Sequence, residues 1–145
     1  MTTIAADFRT GVMASDSRSA DDVTWVPCTK IFRIGEELIG IAGDLREVGA
    51  WLKWVRAGRR GARPKATSFG AVVMRAEGLY GVTGDGHEQF IERGFHAIGT
   101  GSHAALAVLL MGGDPKQAVE IACQIDVYSG GAVRVAEFWA GGVSA

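Results

Sequence analysis

Residues 11–18 read GVMASDSR, and this stretch is the clearest indication of how the chain folds. Its glycine follows Arg9 and Thr10 and marks a tight turn, and a short apolar run comes directly after it. A second apolar run, TIAA at residues 3–6, precedes the turn. Two short apolar runs joined by a glycine turn predict a β-hairpin, and a polar segment that contains Asp16 follows its second strand.

The remaining apolar patterns predict strands on both sides of a helical region. Strands are expected at residues 31–34, 38–42, 69–75 and 79–82, with weaker candidates at 88–91 and 95–98 and a last one at 132–138. Helices are expected at residues 44–57, at about 102–111 and from 114 onward. Hairpins with helices grouped between them favour a layered α+β sandwich over a βαβ nucleotide-binding fold.

Each predicted helix has its own sequence signals. Asp44 with Glu47 three residues later resembles a capping box, and Gly58 is a plausible stop. The second helix is apolar on nearly all sides, so we expect it to be buried. The third begins at Asp114 followed by proline. The residues expected to share its apolar face are Ala118, Ile121, Ala122 and Ile125.

Composition limits the classes of protein that fit. The chain has 145 residues, which suits one domain spanning residues 1–145, and 48% of them are hydrophobic. A net charge of −1 argues against nucleic-acid binding. No signal peptide or membrane span is expected, and Cys28 and Cys123 are expected to be reduced thiols of a cytoplasmic protein. The three histidines lack zinc-type spacing, so neither a metal nor a cofactor is predicted.

Six segments, in this order, resemble the β-type subunits of proteasomes and the bacterial HslV protease, which are N-terminal nucleophile (Ntn) hydrolases. The segments are TTI at residues 2–4, GVMASDSR at 11–18, KIFRI at 30–34, IAG at 41–43, AIGTG at 97–101 and DVYSG at 126–130. The chain is similar to a short bacterial or phage-type member of this group. The resemblance implies a four-layer α-β-β-α sandwich with two packed antiparallel sheets.

The resemblance also implies a reaction centred on Thr2. Once Met1 is removed, Thr2 carries a nucleophilic hydroxyl and a free α-amine, whose ordinary pKa near ~8 suits a general base. Lys30 would supply a fixed positive charge beside the nucleophile, and Asp16 would hold the Lys30 ammonium in place. Gly43, between a strand and a helix start, would donate its backbone N–H to the oxyanion.

Further positions carry over from the resemblance as supporting groups. Asp126 and Ser129 match the aspartate and serine that hydrogen-bond around the terminal threonine. Thr100 retains a hydroxyl where the family usually has serine, and Arg18 is expected to support the site. The residues expected to shape the substrate channel or specificity pocket are Ser19, Ala20, Cys28 and Leu45.

The chain departs from the family pattern between residues 57 and 69. Family members usually have a longer helical segment there that contributes to ring contacts, whereas residues 56–65 of this chain are basic and rich in glycine. This stretch is interpreted as a solvated connection or as a docking surface for an acidic partner. The resemblance implies a homo-oligomeric ring that degrades proteins or peptides, with an ATP-dependent unfoldase as a possible partner.

Two alternative functions fit the same sequence features. One is a catalytically silent ring or scaffold subunit of the same fold. The other is an Ntn hydrolase that acts on a small non-peptide amide. Retention of the residues expected to be catalytic favours the threonine peptidase over the silent subunit, and fold resemblance alone does not decide between peptide and small amide.

Overall fold

The computed structural model describes residues 2–20, 23–139 and 143–144. The strands of this part are β1 (Thr3–Asp7), β2 (Val12–Ser15), β3 (Arg18–Ala20), β4 (Trp25–Pro27), β5 (Ile31–Ile34), β6 (Glu37–Gly43), β7 (Phe69–Arg75), β8 (Gly78–Val82), β9 (Glu88–Phe90), β10 (Phe95–Gly99), β11 (Arg134–Glu137) and β12 (Val143–Ser144). The helices are α1 (Leu45–Arg56), α2 (Ser102–Leu110) and α3 (Pro115–Ile125).

Two five-stranded antiparallel sheets form the body of the molecule. The first has the strand order β10-β1-β2-β11-β12 and the second β5-β6-β7-β8-β9, while β3 and β4 pair separately. In the first sheet β1 lies between β10 and β2, with Ile4 opposite both Ile98 and Ser15. Because these pairs are antiparallel, the start of β1 lies beside the ends of β2 and β10.

Three apolar cores separate four layers. Along β1, Ile4 and Ala6 belong to the core between the two sheets, whereas Ala5 packs in the core under α2 and α3. Along β7, Val72 and Met74 face the first sheet, whereas Ala71 and Val73 pack in the core under α1. The layers are therefore α2 with α3, the first sheet, the second sheet and α1, as predicted.

The helices occur where the sequence predicts them, but the buried faces of α2 and α3 differ from the predicted ones. On α2, Ala105 and Leu109 are buried while Leu110 is exposed, so the prediction that this helix is buried is wrong. On α3, Ile121 and Ile125 are exposed. The side chains that α3 buries are those of Pro115, Ala118, Val119 and Ala122. Both helices cover the outside of the first sheet, so each packs through one face and leaves the other exposed.

The capping signals are confirmed only in part. The Asp44 carboxylate accepts hydrogen bonds from the N–H groups of Arg46 and Glu47, as an N-cap does. The Glu47 carboxylate does not complete a capping box and instead binds residues 67 and 68. At α3 the box is complete, because Asp114 and Gln117 bond each other's backbone N–H.

Smaller differences lie outside the predicted strands. The sequence analysis did not identify the pairing of β3 with β4 or the short β12. The last predicted strand is shorter than expected and begins at Arg134. None of the helices in the described ranges is long and apolar enough to cross a membrane.

Candidate active site

A cleft of about 680 Å³ opens beside the start of β1 and the start of α1. Thr2, Lys30, Gly43 and Thr100 all line it, although they come from four separate segments. The other lining residues considered below are Arg18, Ser19, Cys28, Ile41, Leu45, Thr67, Ser68 and Ile98. The fold therefore brings together groups that the sequence analysis singled out one by one.

Thr2 lies at the entry to β1 and is almost fully buried, with 6% of its surface exposed. Close backbone approach from β10 holds it there. Gly99 has a φ of +95°, and a Cβ at this position would lie 1.9 Å from the Thr2 carbonyl oxygen. Only glycine combines this backbone conformation with that approach.

Asp16 organises the buried floor behind Thr2. Its Oδ1 accepts hydrogen bonds from Thr3 N at 3.0 Å and from Lys30 Nζ at 2.9 Å, while its Oδ2 accepts from Gly130 N at 3.0 Å. The Asp16 side chain is 0% exposed and that of Lys30 is 5% exposed. A buried carboxylate with three donors is a satisfied ionic centre that joins β1, β2, Lys30 and the turn at residue 130.

Lys30 precedes β5 and points its ammonium into this floor. Its Nζ also donates to Arg18 O at 2.6 Å. Two acceptors on separate segments fix the position of the ammonium, which suits a stationary positive charge better than a proton shuttle. This is the arrangement that the resemblance predicted for Lys30 and Asp16.

A chain of hydroxyl groups connects Thr3 to Asp126. Thr100 and Ser129 each donate to Asp126 Oδ2 at 2.6 Å. Because the single Ser129 hydroxyl proton is used on Asp126, Thr3 Oγ1 donates to Ser129 Oγ at 2.7 Å. Thr100 Oγ1 also lies 3.5 Å from the Thr2 carbonyl oxygen, which is too long for a strong hydrogen bond.

These donors set the charge state of Asp126. Partial burial acts to raise the pKa of the Asp126 carboxyl, but hydrogen bonds from Ser129, Thr100 and the Tyr128 N–H outweigh it and lower that pKa below its ordinary value. Asp126 is therefore an anionic acceptor at neutral pH, and it holds two hydroxyl groups beside the start of β1.

Gly43 ends β6 immediately before the Asp44 cap of α1. Its φ is +135°, and a Cβ here would lie 2.1 Å from Ser68 O. Along a strand, successive N–H groups alternate between the two neighbouring strands. Ile41 N donates to Lys30 O, so alternation directs the Gly43 N–H toward the same side, where β5 has not yet begun. That side is the cleft.

The other residues expected at the site also lie near it. Arg18 packs against Gly130, where a Cβ would lie 2.6 Å from the guanidinium carbon, and its ring partner is Trp25. Ser19, Cys28 and Leu45 line the cleft, and Leu45 is 64% exposed. Ala20 belongs to β3, and its side chain lies outside the described part of the structure. Met1 also lies outside the described residues.

Several residues that shape the site were not singled out from sequence. Thr3, Gly99 and Gly101 belong to segments recognised as motifs, and a Cβ at Gly101 would lie 2.0 Å from Thr3 Oγ1. Gly130 supplies one of the three donors to Asp16. The glycines of AIGTG and DVYSG were the available signal, because closely spaced glycines indicate close backbone approach.

Among the described residues that line the cleft, Cys28 carries the only thiol and there is no histidine. Burial raises the pKa of Cys123 to about 11, assisted by the nearby Asp16 charge, so this thiol is a poor nucleophile. Cys28 lines the cleft and places its sulfur 3.6 Å from the Thr29 carbonyl oxygen. Within the described ranges, no cluster of three or more histidine, cysteine, aspartate or glutamate residues could hold a metal ion.

Comparison with known proteins gives matches in fold only. No protein-family model and no curated protein matches the sequence. The structure of BPH from Thiobacillus denitrificans in complex with epoxomicin is 17% identical with a TM-score of 0.71, and the match covers 94% of this chain and 99% of that chain. A second structure of the same BPH is 16% identical with a TM-score of 0.69, covering 94% and 98%.

A crystal structure of eukaryotic HslV from Trypanosoma brucei gives a similar result. It is 22% identical with a TM-score of 0.72, and the match covers 94% of this chain and 99% of that chain. Structural similarity at these sequence identities establishes the fold. The chemistry has to be argued from the residues of the site. The resemblance to HslV noted from the sequence motifs is thus confirmed at the level of structure, and the chain has an HslV-like fold.

Proposed function

We propose that the protein is a threonine peptidase that cleaves peptide bonds through Thr2. The observation that carries this proposal is the Asp16 carboxylate, which joins Lys30 Nζ and Gly130 N to the N–H of Thr3, the residue next to Thr2. Such a buried ionic centre is costly unless every donor and acceptor is paired. Its position beside a nearly buried threonine at a cleft supports a catalytic purpose.

The reaction requires Thr2 to be the first residue. Removal of Met1 frees the Thr2 α-amine, which takes the Thr2 hydroxyl proton directly or through a water while Oγ attacks the scissile carbonyl carbon. The fixed Lys30 ammonium favours the unprotonated amine and the developing alkoxide. Lys30 itself is a poor candidate for the base, because its ammonium is held by Asp16 and Arg18 O.

The Gly43 N–H would then stabilise the tetrahedral oxyanion. When that intermediate collapses, the carbon–nitrogen bond breaks and the leaving amine takes the proton from the Thr2 ammonium. The product is an ester between the acyl group and Thr2 Oγ. Water activated by the same amine hydrolyses the ester and regenerates Thr2. Asp126, Ser129 and Thr100 act by holding the backbone around Thr2.

The lining of the cleft supports an uncharged, apolar substrate side chain. Ile41, Leu45 and Ile98 contribute apolar surface, and Ser19 and Cys28 contribute small side chains. Epoxomicin is bound in the BPH structure, so this molecule is a suitable probe of the cleft. We expect peptides with leucine-like side chains on the acyl side of the scissile bond to be preferred over those with acidic ones.

We further propose that the protein assembles into a homo-oligomeric ring in the cytoplasm. Met111 is 90% exposed, and further large apolar side chains stand out from the same helical layer and the turn after it, namely Leu110, Ile121, Ile125, Val127 and Tyr128. Exposed apolar surface of this kind is typical of protein interfaces. The family resemblance implies an ATP-dependent unfoldase as the partner that delivers protein substrates.

Intact mass combined with peptide hydrolysis tests the peptidase proposal. Purified wild-type protein that has lost Met1 is expected to hydrolyse fluorogenic peptides and to bind epoxomicin, whereas Thr2→Ala abolishes turnover. The control is Thr10→Ala, because Thr10 is an exposed turn residue remote from the cleft. Processed wild type that turns over no peptide and binds no epoxomicin would contradict the proposal.

A further inference from the structure

The carboxylate of Glu47 makes contacts that its place in a helix does not require. Glu47 lies in the first turn of α1, yet its Oε2 accepts a hydrogen bond from Ser68 N at 2.8 Å. Its Oε1 accepts from Thr67 N at 3.0 Å and lies 3.4 Å from Thr67 Oγ1. One side chain thus clamps the end of the connection between α1 and β7 to the start of α1.

The clamped segment supports the residue expected to donate to the oxyanion. Ser68 O accepts the Asp44 N–H at 3.0 Å. The backbone of Ser68 and Phe69 also packs directly on Gly43, where a Cβ would lie 2.1 Å from Ser68 O and 2.5 Å from Phe69 Cα. Residues 68–69 therefore constrain the backbone of Gly43, and with it the preceding Ala42–Gly43 peptide that carries the Gly43 N–H.

The connection itself has little regular structure to hold that position. Residues 57–68 contain neither helix nor strand, and they include Gly58 and Gly61 at positive φ. Without an anchor near its end, such a segment samples many conformations. Glu47 provides charge-assisted hydrogen bonds at the point where the segment meets the cleft.

We propose that Glu47 is a positioning residue that fixes the Gly43 N–H for oxyanion binding through Ser68 and Phe69. The inference rests on the proposed peptidase function and adds a residue with no contact to the reacting atoms. Loss of the clamp would let the Gly43 backbone shift, and the Ala42–Gly43 peptide that carries the N–H would move with it. Misplacement of a donor affects the transition state more than the bound substrate.

The test compares Glu47→Ala and Glu47→Gln with Glu36→Ala in protein whose Met1 has been removed. Glu36 is the matched control because it is an exposed carboxylate at the turn between β5 and β6, at the opposite end of β6 from Gly43. For Glu47→Ala we expect kcat to fall roughly 10- to 100-fold while KM changes less than about 3-fold. Glu47→Gln keeps one acceptor oxygen and is expected to be intermediate.

A second measurement, the rate of reaction with a peptide vinyl sulfone, distinguishes a positioning role of Glu47 from a general loss of structure. A peptide vinyl sulfone adds to the Thr2 hydroxyl without forming a tetrahedral oxyanion, so its rate of addition reports the nucleophile alone. We expect Glu47→Ala to react with the vinyl sulfone at close to the wild-type rate and to be slow only in peptide hydrolysis. Assays are run well below the melting temperature of each variant.

The outcomes distinguish the two proposals. Wild-type turnover that depends on Thr2, with Glu47→Ala slowed in hydrolysis but not in vinyl sulfone addition, supports the positioning role. Active wild type with Glu47→Ala indistinguishable from Glu36→Ala, or with both reactions slowed equally, overturns the role of Glu47 and leaves the peptidase standing. Absence of any Thr2-dependent turnover by wild type overturns the peptidase and the positioning role with it.

Discussion

At the scale of single residues, the site depends on residues whose contacts no other amino acid could make. Asp16 accepts from two backbone N–H groups and one ammonium, so each replacement leaves a buried donor without its partner. Gly99 occupies a backbone conformation and a volume that exclude a side chain. Both residues act on Thr2 through the backbone around it.

Gly99→Ala tests the close approach to Thr2. The matched control is Gly112→Ala, because Gly112 has a nearly identical φ of +93° but open space at the Cβ position, whereas the Cβ at Gly99 would meet the Thr2 carbonyl. We expect Gly112→Ala to cost about 1 kcal/mol in stability from backbone strain alone. Gly99→Ala should be destabilised further and lose peptide hydrolysis; equal unfolding free energies by urea titration would contradict this expectation.

Asp16→Asn tests the buried ionic centre. The amide nitrogen of asparagine cannot accept a hydrogen bond, so one donor is left unpaired and Lys30 loses its counter-charge. We expect a loss of about 3–5 kcal/mol in unfolding free energy. Asp44→Asn is the control, because asparagine caps a helix as well as aspartate does and the change should stay within about 0.5 kcal/mol. Equal losses in the two variants would rule out the proposed role of Asp16.

Sequence motifs predicted the charged and hydroxyl members of the site better than its backbone. Asp16, Lys30 and Thr100 were predicted from their places in the motifs that resemble the family; Lys30 and Thr100 line the cleft, and Asp16 binds Lys30. The approach of Gly99 to Thr2 joins residues far apart in the chain, and the bond from Gly130 to Asp16 crosses a similar separation. Neither contact depends on a local sequence pattern. The sequence therefore indicated that these segments are rich in glycine, but not which residues the glycines contact.

At the scale of elements, hydrophobic periodicity predicted the positions of the helices correctly, but it predicted the wrong buried faces for α2 and α3. Ile121 and Ile125 are the largest apolar residues expected on α3, but the stripe that packs on the sheet is made of smaller ones, including Ala118 and Ala122. Small residues allow a helix to lie close to a sheet, and a hydrophobicity pattern does not encode that distance. The exposed isoleucines are consistent with an interface to another subunit on the outer face of α3.

Strand β10 provides a pH-dependent test of stability. Burial lowers the pKa of His96 below its ordinary value, with a further contribution from the Arg93 charge. The folded state therefore disfavours protonated His96, so stability is complete above the unfolded pKa of ~6.5 and falls as pH drops below it. We expect His96→Gln to lose less stability than wild type between about pH 7.5 and about pH 5.5, as followed by urea unfolding.

His103→Gln is the control for this measurement, because His103 is exposed on α2. Its pH dependence should match that of wild type. An unchanged pH dependence in His96→Gln would contradict the account of β10.

At the scale of the whole molecule, four layers are built from 145 residues. Successive side chains along β1 and β7 point alternately into the core between the sheets and into a core under the helices. The layered α+β class followed from the order of hairpins and helices in the sequence, and the four layers followed from the family resemblance carried by the motifs. The pairing of β3 with β4 did not, since both strands are short and β4 is exposed along its length.

Substitution on the exposed helical layer tests assembly. Replacing both Leu110 and Met111 with lysine should leave the monomer stable, because these side chains are 62% and 90% exposed. We expect the variant to show a lower mass than wild type by light scattering. Glu77→Lys, at the exposed turn between β7 and β8, is the control and should assemble normally. Wild type that remains monomeric across a wide concentration range would contradict ring assembly.

If the Thr2 α-amine is the general base, peptide hydrolysis depends on whether that amine is free. The chain is prepared in two forms, one that retains Met1 and one released from an N-terminal fusion so that Thr2 is the first residue, with intact mass verifying each. We expect only the form with a free Thr2 amine to hydrolyse fluorogenic peptides, with kcat/KM at least ~100-fold higher than that of the Met1 form. Equal activity of the two forms would contradict it.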